Sequence, residues 1–309
     1  MILHPIKRGG STHKVQCAAK RTQRSGKYER TENLSATQVI IVLHSDYFVI
    51  IALFFPYCKV FSAEKVKILK RKYKERCEAV FKKYNKIIFR DKYSAQLFSK
   101  LSQVTYIPDI VLGFDLKKWI GEEITQQELI CINVINLREN KRTYQERKKY
   151  IENYEKTIHA VIDLILKWKI KICILGFSRE KSEEAYINEL LLSARKRNPS
   201  AVIDTCIYNG KNGKELIRYI ARCKGLLSTR FHALIIGMVL EKRQYPICYD
   251  NKLTNFLESI GYSDPYSLLK NITSPEKITD YLIHGHHSDY KHVIAASKKH
   301  LCLLDQLLF

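Results

Sequence analysis

The chain has 309 residues, a formal net charge of +22, and a composition of 46% apolar and 27% charged residues. That balance excludes a disordered or fibrous protein, and the length is enough for two domains with sizeable cores. The charge implies an anionic partner: nucleic acid, an anionic membrane surface or a phosphorylated small molecule. Nucleic acid is disfavoured, because no aromatic platform or recognisable binding module accompanies the basic runs.

Residues 1 to 38 carry eight Lys/Arg against two Glu and show no hydrophobic period, which predicts a basic, disordered segment. No apolar h-region with a small-residue cleavage site follows it, so a secretory signal is not expected. The run Val39 to Phe55, VIIVLHSDYFVIIALFF, carries His44, Ser45 and Asp46 at its centre. It reads as two buried strands joined by a turn rather than as a membrane span, for which it is barely long enough.

Residues 63 to 84 predict a basic helix, with Val66, Leu69, Tyr73, Cys77, Val80, Phe81 and Tyr84 at helical spacing. A short strand at Lys86 to Phe89, a helix at 92 to 101 and a strand at Val104 to Ile107 follow. The alternation makes residues 39 to 115 a smaller α/β domain, with residues 116 to 128 as a polar linker.

Beyond the linker the alternation is regular. Strands are predicted at Leu129 to Leu137, Ile170 to Gly176, Ala201 to Ile207, Gly225 to Leu227 and Tyr245 to Tyr249. Helices are predicted at 145 to 168, 181 to 196, 213 to 222, 229 to 240, 252 to 260, 275 to 284 and about 288 to 308. Strands alternating with helices imply a parallel sheet buried on both faces, which accounts for the continuous apolar runs. Residues 129 to 285 therefore form a doubly wound, Rossmann-like domain, followed by a C-terminal helix at 286 to 309. Of the nine cysteines, Cys131, Cys173, Cys206 and Cys248 fall in predicted strands as small apolar residues. No C-x-x-C pair is present, so neither a zinc site nor a redox motif is expected, and the scatter fits a reducing compartment.

In such sheets ligands bind beyond the carboxyl ends of the strands. Three places there carry charge: Arg138, Arg230 with His232, and Asp250 with Lys252. In LLSTRFHALIIG, Ser228 is the expected N-cap, and Phe231, Leu234, Ile235 and Met238 form the apolar face of the helix. Arg230 and His232 then sit in the first turn, where the helix dipole already favours an anion. An arginine held beside so much apolar surface needs a partner, supplied either by this chain or by a ligand. From the residues alone, the expectation is a basic, anion-binding cleft.

The stretch CKGLLSTRFHALIIGMVLEKRQYPICYDNKLTNFLESI, Cys223 to Ile260, resembles the C-terminal signature of the polysaccharide pyruvyl transferase family. That signature is R-x-H-A opening an apolar helix, then a strand ending in Tyr-Asp-x-Lys; here these are Arg230, His232, Ala233, Tyr249, Asp250 and Lys252. The segment FRDKYSAQLFSKLSQVTYIPDIVLGFD, Phe89 to Asp115, resembles the same family through Arg90, Asp91, Ser94, Pro108 and Asp109. Arg138 matches an arginine shortly after the first strand of the second domain. The resemblance departs at the N-terminus. Residues 1 to 45 contain no G-N-x-G-D-type loop, and Ile51 to Tyr57 replace a polar glycine-containing loop with bulky apolar residues, so the N-terminal domain reads as incomplete.

The resemblance implies two Rossmann-like domains around a cleft, as in two-domain glycosyltransferases. It implies transfer of a pyruvyl group from phosphoenolpyruvate to a sugar of a cell-surface polysaccharide or its lipid-linked precursor, giving a ketal. Arg138, Arg230 and Lys252 would hold the donor phosphate and carboxylate, and His232 would protonate the methylene carbon. Asp109, Asp250 and Arg90 are further candidates. No metal or cofactor is required beyond the donor itself. The expected setting is cytoplasmic, with the basic helix facing anionic lipid at the inner membrane face. A sugar-nucleotide glycosyltransferase and a catalytically inactive anion-binding relative remain open as alternatives.

Overall fold

The computed structural model describes residues 74–82, 87–121, 124–139, 141–300 and 302, all within one compact unit, Thr37–Phe309. The readings for residues 1 to 73, including the disordered segment, the two strands at 39 to 55 and the loop at 51 to 57, lie outside the described residues.

Helix α1 (74–81) is the described part of the basic helix. It buries Phe81 but turns Val80 outward at 49% exposure, so its apolar face is narrower than the spacing predicts. Strand β1 (Ile87–Phe89) pairs in parallel with β2 (Val104–Tyr106), and α2 (Lys92–Leu97) links them. Their core is a phenylalanine cluster: Phe89 stacks on Phe98 at 5.6 Å, and Phe81 meets Phe98 edge-on at 4.8 Å. Asp91 caps α2 by accepting from the Ser94 amide at 2.7 Å.

The predicted polar linker contains a helix, α3 (Leu116–Ile120), capped by Asp115 and ended by Gly121 in the left-handed region. Leu116 and Ile120 are buried and pack into the core under the large sheet. Trp119 and Ile124 pack against the same core, so the apolar residues of this run face inward although it reads as polar.

The large sheet is parallel, with strand order β5-β4-β3-β6-β7-β8. Its strands are β3 (Leu129–Asn133), β4 (Lys171–Gly176), β5 (Ile203–Ile207), β6 (Gly225–Ser228), β7 (Arg243–Cys248) and β8 (Ser267–Leu268). The helices between them are α4 (Lys141–Lys167), α5 (Lys181–Arg197), α6 (Gly213–Arg222), α7 (Phe231–Val239) and α8 (Asn251–Ile260). Helices α9 (Pro275–His284) and α10 (Lys291–Ser297) follow. Strand β8 was not expected, since two residues carry no period.

Side-chain alternation explains why β3 and β4 read as continuous apolar runs. Ile130, Ile132, Ile172 and Ile174 join Tyr154, Ile158, Val161, Ile162 and Ile165 of α4 on one face. Leu129, Cys131, Cys173 and Leu175 join Leu216 and Ile220 of α6 on the other. Cys131, Cys173, Cys206 and Cys248 are buried free thiols, as expected of small apolar residues in strands. Gly225 admits a close approach: a Cβ there would meet the Leu282 carbonyl oxygen at 2.5 Å, so α9 lies directly on β6.

Candidate functional site

The parallel order places the ends of β3, β6 and β7 side by side, and the site grows from what lies beyond them. A buried polar knot comes first. Asn133, the last residue of β3, is fully buried. Its Oδ1 accepts from the backbone amides of Thr229 at 3.2 Å and Arg230 at 2.8 Å, and its Nδ2 donates to the Leu175 carbonyl at 3.1 Å. Thr229 Oγ1 donates to the Asn133 carbonyl at 3.0 Å, and the Tyr154 hydroxyl lies 3.3 Å from that same Oγ1.

The knot changes how α7 begins. Its N-cap is Arg230, with extended backbone and no side-chain cap, and Ser228 is the last residue of β6. The Thr229 and Arg230 amides, just ahead of the helix, are satisfied by Asn133, nearly a hundred residues away in sequence, and no side chain caps the first turn of α7 itself.

The chain itself supplies a partner for Arg230. Its guanidinium donates to Glu183 Oε2, and Glu183 is 1% exposed. Glu183 Oε1 in turn accepts from the backbone amides of Phe177 at 2.9 Å and Ser178 at 2.8 Å, which follow β4. Glu183 thus ties the β4–α5 loop to the start of α7. The Arg230 Nε is buried without a hydrogen-bond partner. Its positive charge is close enough to Tyr249 to oppose the burial that pushes the Tyr249 hydroxyl up to about 12.

Arg138 lies further out. It forms a two-pronged pair with Glu155, at 2.5 and 2.7 Å, and reaches Glu189 at 3.4 Å. The Glu155 carboxylate holds its pKa above the ordinary arginine value.

A different group of cations converges on Phe231. The Lys252 Nζ stands 4.6 Å from the centroid of its ring, and the Arg90 guanidinium carbon 4.7 Å. The His232 ring is edge-on to the same phenyl at 5.6 Å. Arg90 also donates to Asp109 at 2.9 Å. Among the described residues, Lys252 has no ion pair. Burial first, and the Arg90 charge second, bring its pKa down from the ordinary lysine value to about 8, against the opposing pull of Asp250 and Asp109.

The two aspartates have structural duties. Asp109 is buried, pairs with Arg90, and accepts from the Val111 amide at 3.1 Å. Asp250 caps α8 by accepting from the Leu253 amide at 3.1 Å. The structure therefore gathers Arg90, His232, Lys252 and Asp109 around Phe231, while Arg230 and Arg138 face glutamates on the β4–α5 side. Glu183 and Asn133 were missed from the sequence. An asparagine ending the otherwise apolar LICIN was a readable signal for a buried polar tie. Glu183 carried none, since Glu in the first turn of a helix is ordinary.

Comparison with solved structures gives two low-identity likenesses. One is a Methanocaldococcus jannaschii UDP-GlcNAc 2-epimerase in complex with UDP-GlcNAc and UDP: 7% identity, TM-score 0.45, covering 72% of this chain and 62% of that one. The other is the Glycosylation Associate Protein (Gap123) complex from Streptococcus agalactiae: 13% identity, TM-score 0.44, covering 76% of this chain and 46% of that one. The chain thus spans less than two thirds of either. No curated protein matches it. The family model of polysaccharide pyruvyl transferase matches residues 43–251, more than half of the chain and spanning Arg90, Asp109, Arg138, Arg230, His232 and Asp250. The chain belongs to the polysaccharide pyruvyl transferase family.

Proposed function

We propose that the chain transfers a pyruvyl group from phosphoenolpyruvate to two hydroxyls of a saccharide, forming a ketal and releasing phosphate. The observation that carries this reading is the convergence of Lys252, Arg90 and His232 on Phe231, at the start of α7. Phosphoenolpyruvate brings a phosphate and a carboxylate, and needs cations that this chain has not already neutralised. Lys252 is such a cation, its charged form disfavoured by partial desolvation and by Arg90, so that an anion beside it is a gain. The first turn of α7 completes the donor seat, with Arg230, already answered by Glu183, beside it rather than in it. Arg138, committed to Glu155 and Glu189, is left out of it.

In this reading His232 gives a proton to the methylene carbon as a sugar hydroxyl bonds to the adjacent carbon. A second hydroxyl then displaces phosphate from that carbon, and the cations stabilise the charge on the departing group. The acceptor belongs to a cell-surface polysaccharide or its lipid-linked precursor. Lipid linkage would bring the reaction to a membrane surface, for which the excess of Lys/Arg over Asp/Glu between residues 63 and 92 is suited. The test is release of inorganic phosphate from phosphoenolpyruvate by the full chain, with and without saccharide acceptors. Acceptor-dependent release supports the reading. Turnover of a nucleotide-sugar with phosphoenolpyruvate inert refutes it.

A further inference from the structure

The donor seat leaves an adjoining cleft unexplained. It has a volume of about 500 Å³ and is lined by Asn136, Leu137, Glu139, Arg147, Ile151, Tyr249, Asp250 and Leu269. These residues follow β3, β7 and β8, or face them from α4, so the cleft opens at the carboxyl edge of the sheet, where such folds bind ligands. Its volume falls within the usual range for small-molecule pockets, about 300–1,000 Å³.

We propose that this cleft seats an uncharged pyranose unit of the acceptor saccharide, with Arg147 on one wall and Glu139 and Asp250 on the others. The inference rests on the pyruvyl-transfer reading for the word acceptor, but the ligand class follows from the lining. Arg147 donates through Nη1 to the Tyr249 carbonyl at 3.2 Å, and among the described residues it has no carboxylate partner. In that it differs from Arg138, Arg230 and Arg90. Each carboxylate has one oxygen committed within the protein: Glu139 Oε1 accepts from the Ser182 hydroxyl at 2.9 Å, and Asp250 Oδ1 from the Leu253 amide. Asp250 also bonds the Tyr249 hydroxyl, so among the described residues Glu139 Oε2 is the acceptor left for a ligand hydroxyl, and the remaining guanidinium N–H groups of Arg147 are donors to ligand oxygens. Leu137, Ile151 and Leu269 give the C–H face of a sugar ring an apolar surface. A phosphate would meet two carboxylates against one arginine, which disfavours it.

The wall is built before a ligand arrives. Asn136 donates to the Ser182 carbonyl at 3.0 Å and accepts from the Arg138 amide at 3.0 Å, fixing the loop after β3. Arg147 fixes the loop after β7, which leads into the first turn of α8 and Lys252. A sugar in this cleft therefore lies against the loop that precedes the donor cation, with Asp250 between them in sequence.

The test uses saturation-transfer NMR on the full chain with the methyl glycosides of glucose, galactose, mannose and N-acetylmannosamine. Phosphoenolpyruvate binding is measured in parallel by calorimetry. The expected result is that at least one glycoside binds, that Arg147→Ala and the exposed-site variant Glu139→Ala each weaken it at least tenfold, and that phosphoenolpyruvate affinity is unchanged in both. Binding by none of the four, or glycoside binding unaltered in both variants, overturns the proposal. Glycoside binding that follows these variants while phosphoenolpyruvate fails to bind the wild type refutes the donor reading and leaves the saccharide seat standing.

Discussion

Arg90 and Lys252, far apart in sequence, lie within 4.7 Å of the centroid of one phenylalanine ring, that of Phe231. Two like charges share an apolar platform, and only Arg90 has a carboxylate within ion-pair distance among the described residues. Partial desolvation and the Arg90 charge together disfavour the charged form of Lys252.

That cost predicts a stability effect. The Lys252 pKa is down at about 8 in the folded chain, against about 10.5 when unfolded, so the folded state penalises the charged form. The penalty is full below pH 8 and fades as pH rises from 8 to 10.5, where the unfolded chain binds more protons. Lys252→Met should therefore stabilise the protein at pH 7, by an amount held down by the solvent exposure of the side chain. The gain should vanish near pH 10.5. Urea denaturation of both proteins at pH 7 and 10 checks the sign; a gain independent of pH would refute the role of the charge.

Glu183 should behave as a tie between elements. Glu183→Ala leaves Arg230 beside an emptied pocket and two backbone amides without acceptors. Removing one partner of a buried pair costs about 3–5 kcal/mol. Denaturant melts should show that loss for Glu183→Ala and a clearly smaller one for Glu183→Gln, which keeps an oxygen for the amides.

Asn133→Ala would strand the Thr229 and Arg230 amides, while the Leu175 carbonyl keeps the Val134 amide. At about 1–3 kcal/mol for each buried group left unpaired, a loss of about 2 kcal/mol or more is expected, with α7 the first element to open. Native-state hydrogen exchange at Thr229 and Arg230 reads this directly.

His232→Ala should abolish transfer while leaving phosphoenolpyruvate affinity within a few-fold of wild type, because its assigned task is the proton and not the anion. Arg138→Ala should change neither affinity nor turnover appreciably, since its charge is already answered by Glu155 and Glu189. A large loss of donor affinity in Arg138→Ala would return that residue to the donor seat.

The sequence made the large sheet legible because its strands are buried on both faces, and apolar runs such as LICIN and KICILG announce that without reference to partners. The inner face of α7 was legible from helical spacing: Phe231, Leu234, Ile235 and Met238 are all buried. What escaped was long-range. The turn into α7 is pinned by Asn133 and the helix begins at Arg230 rather than being capped by Ser228, and the partner of Arg230 comes from α5. Local spacing can say that an arginine needs a counter-charge; it cannot say which strand's neighbour brings one. The pairing of Arg90 with Lys252 on Phe231 was invisible for the same reason, although the family resemblance had marked all three stretches.

The central claim is that Lys252 holds the donor anion. Calorimetric titration of phosphoenolpyruvate into the wild type and Lys252→Ala, at pH 7 and pH 9, tests it most directly. A charge-assisted contact contributes about 1.5–3 kcal/mol, so the variant should bind about 10- to 100-fold more weakly at pH 7. Wild-type affinity should fall as pH rises past about 8, where Lys252 gives up its proton, and the variant should lack that fall. Equal affinities for the two proteins at pH 7, or the same pH dependence in both, would contradict it.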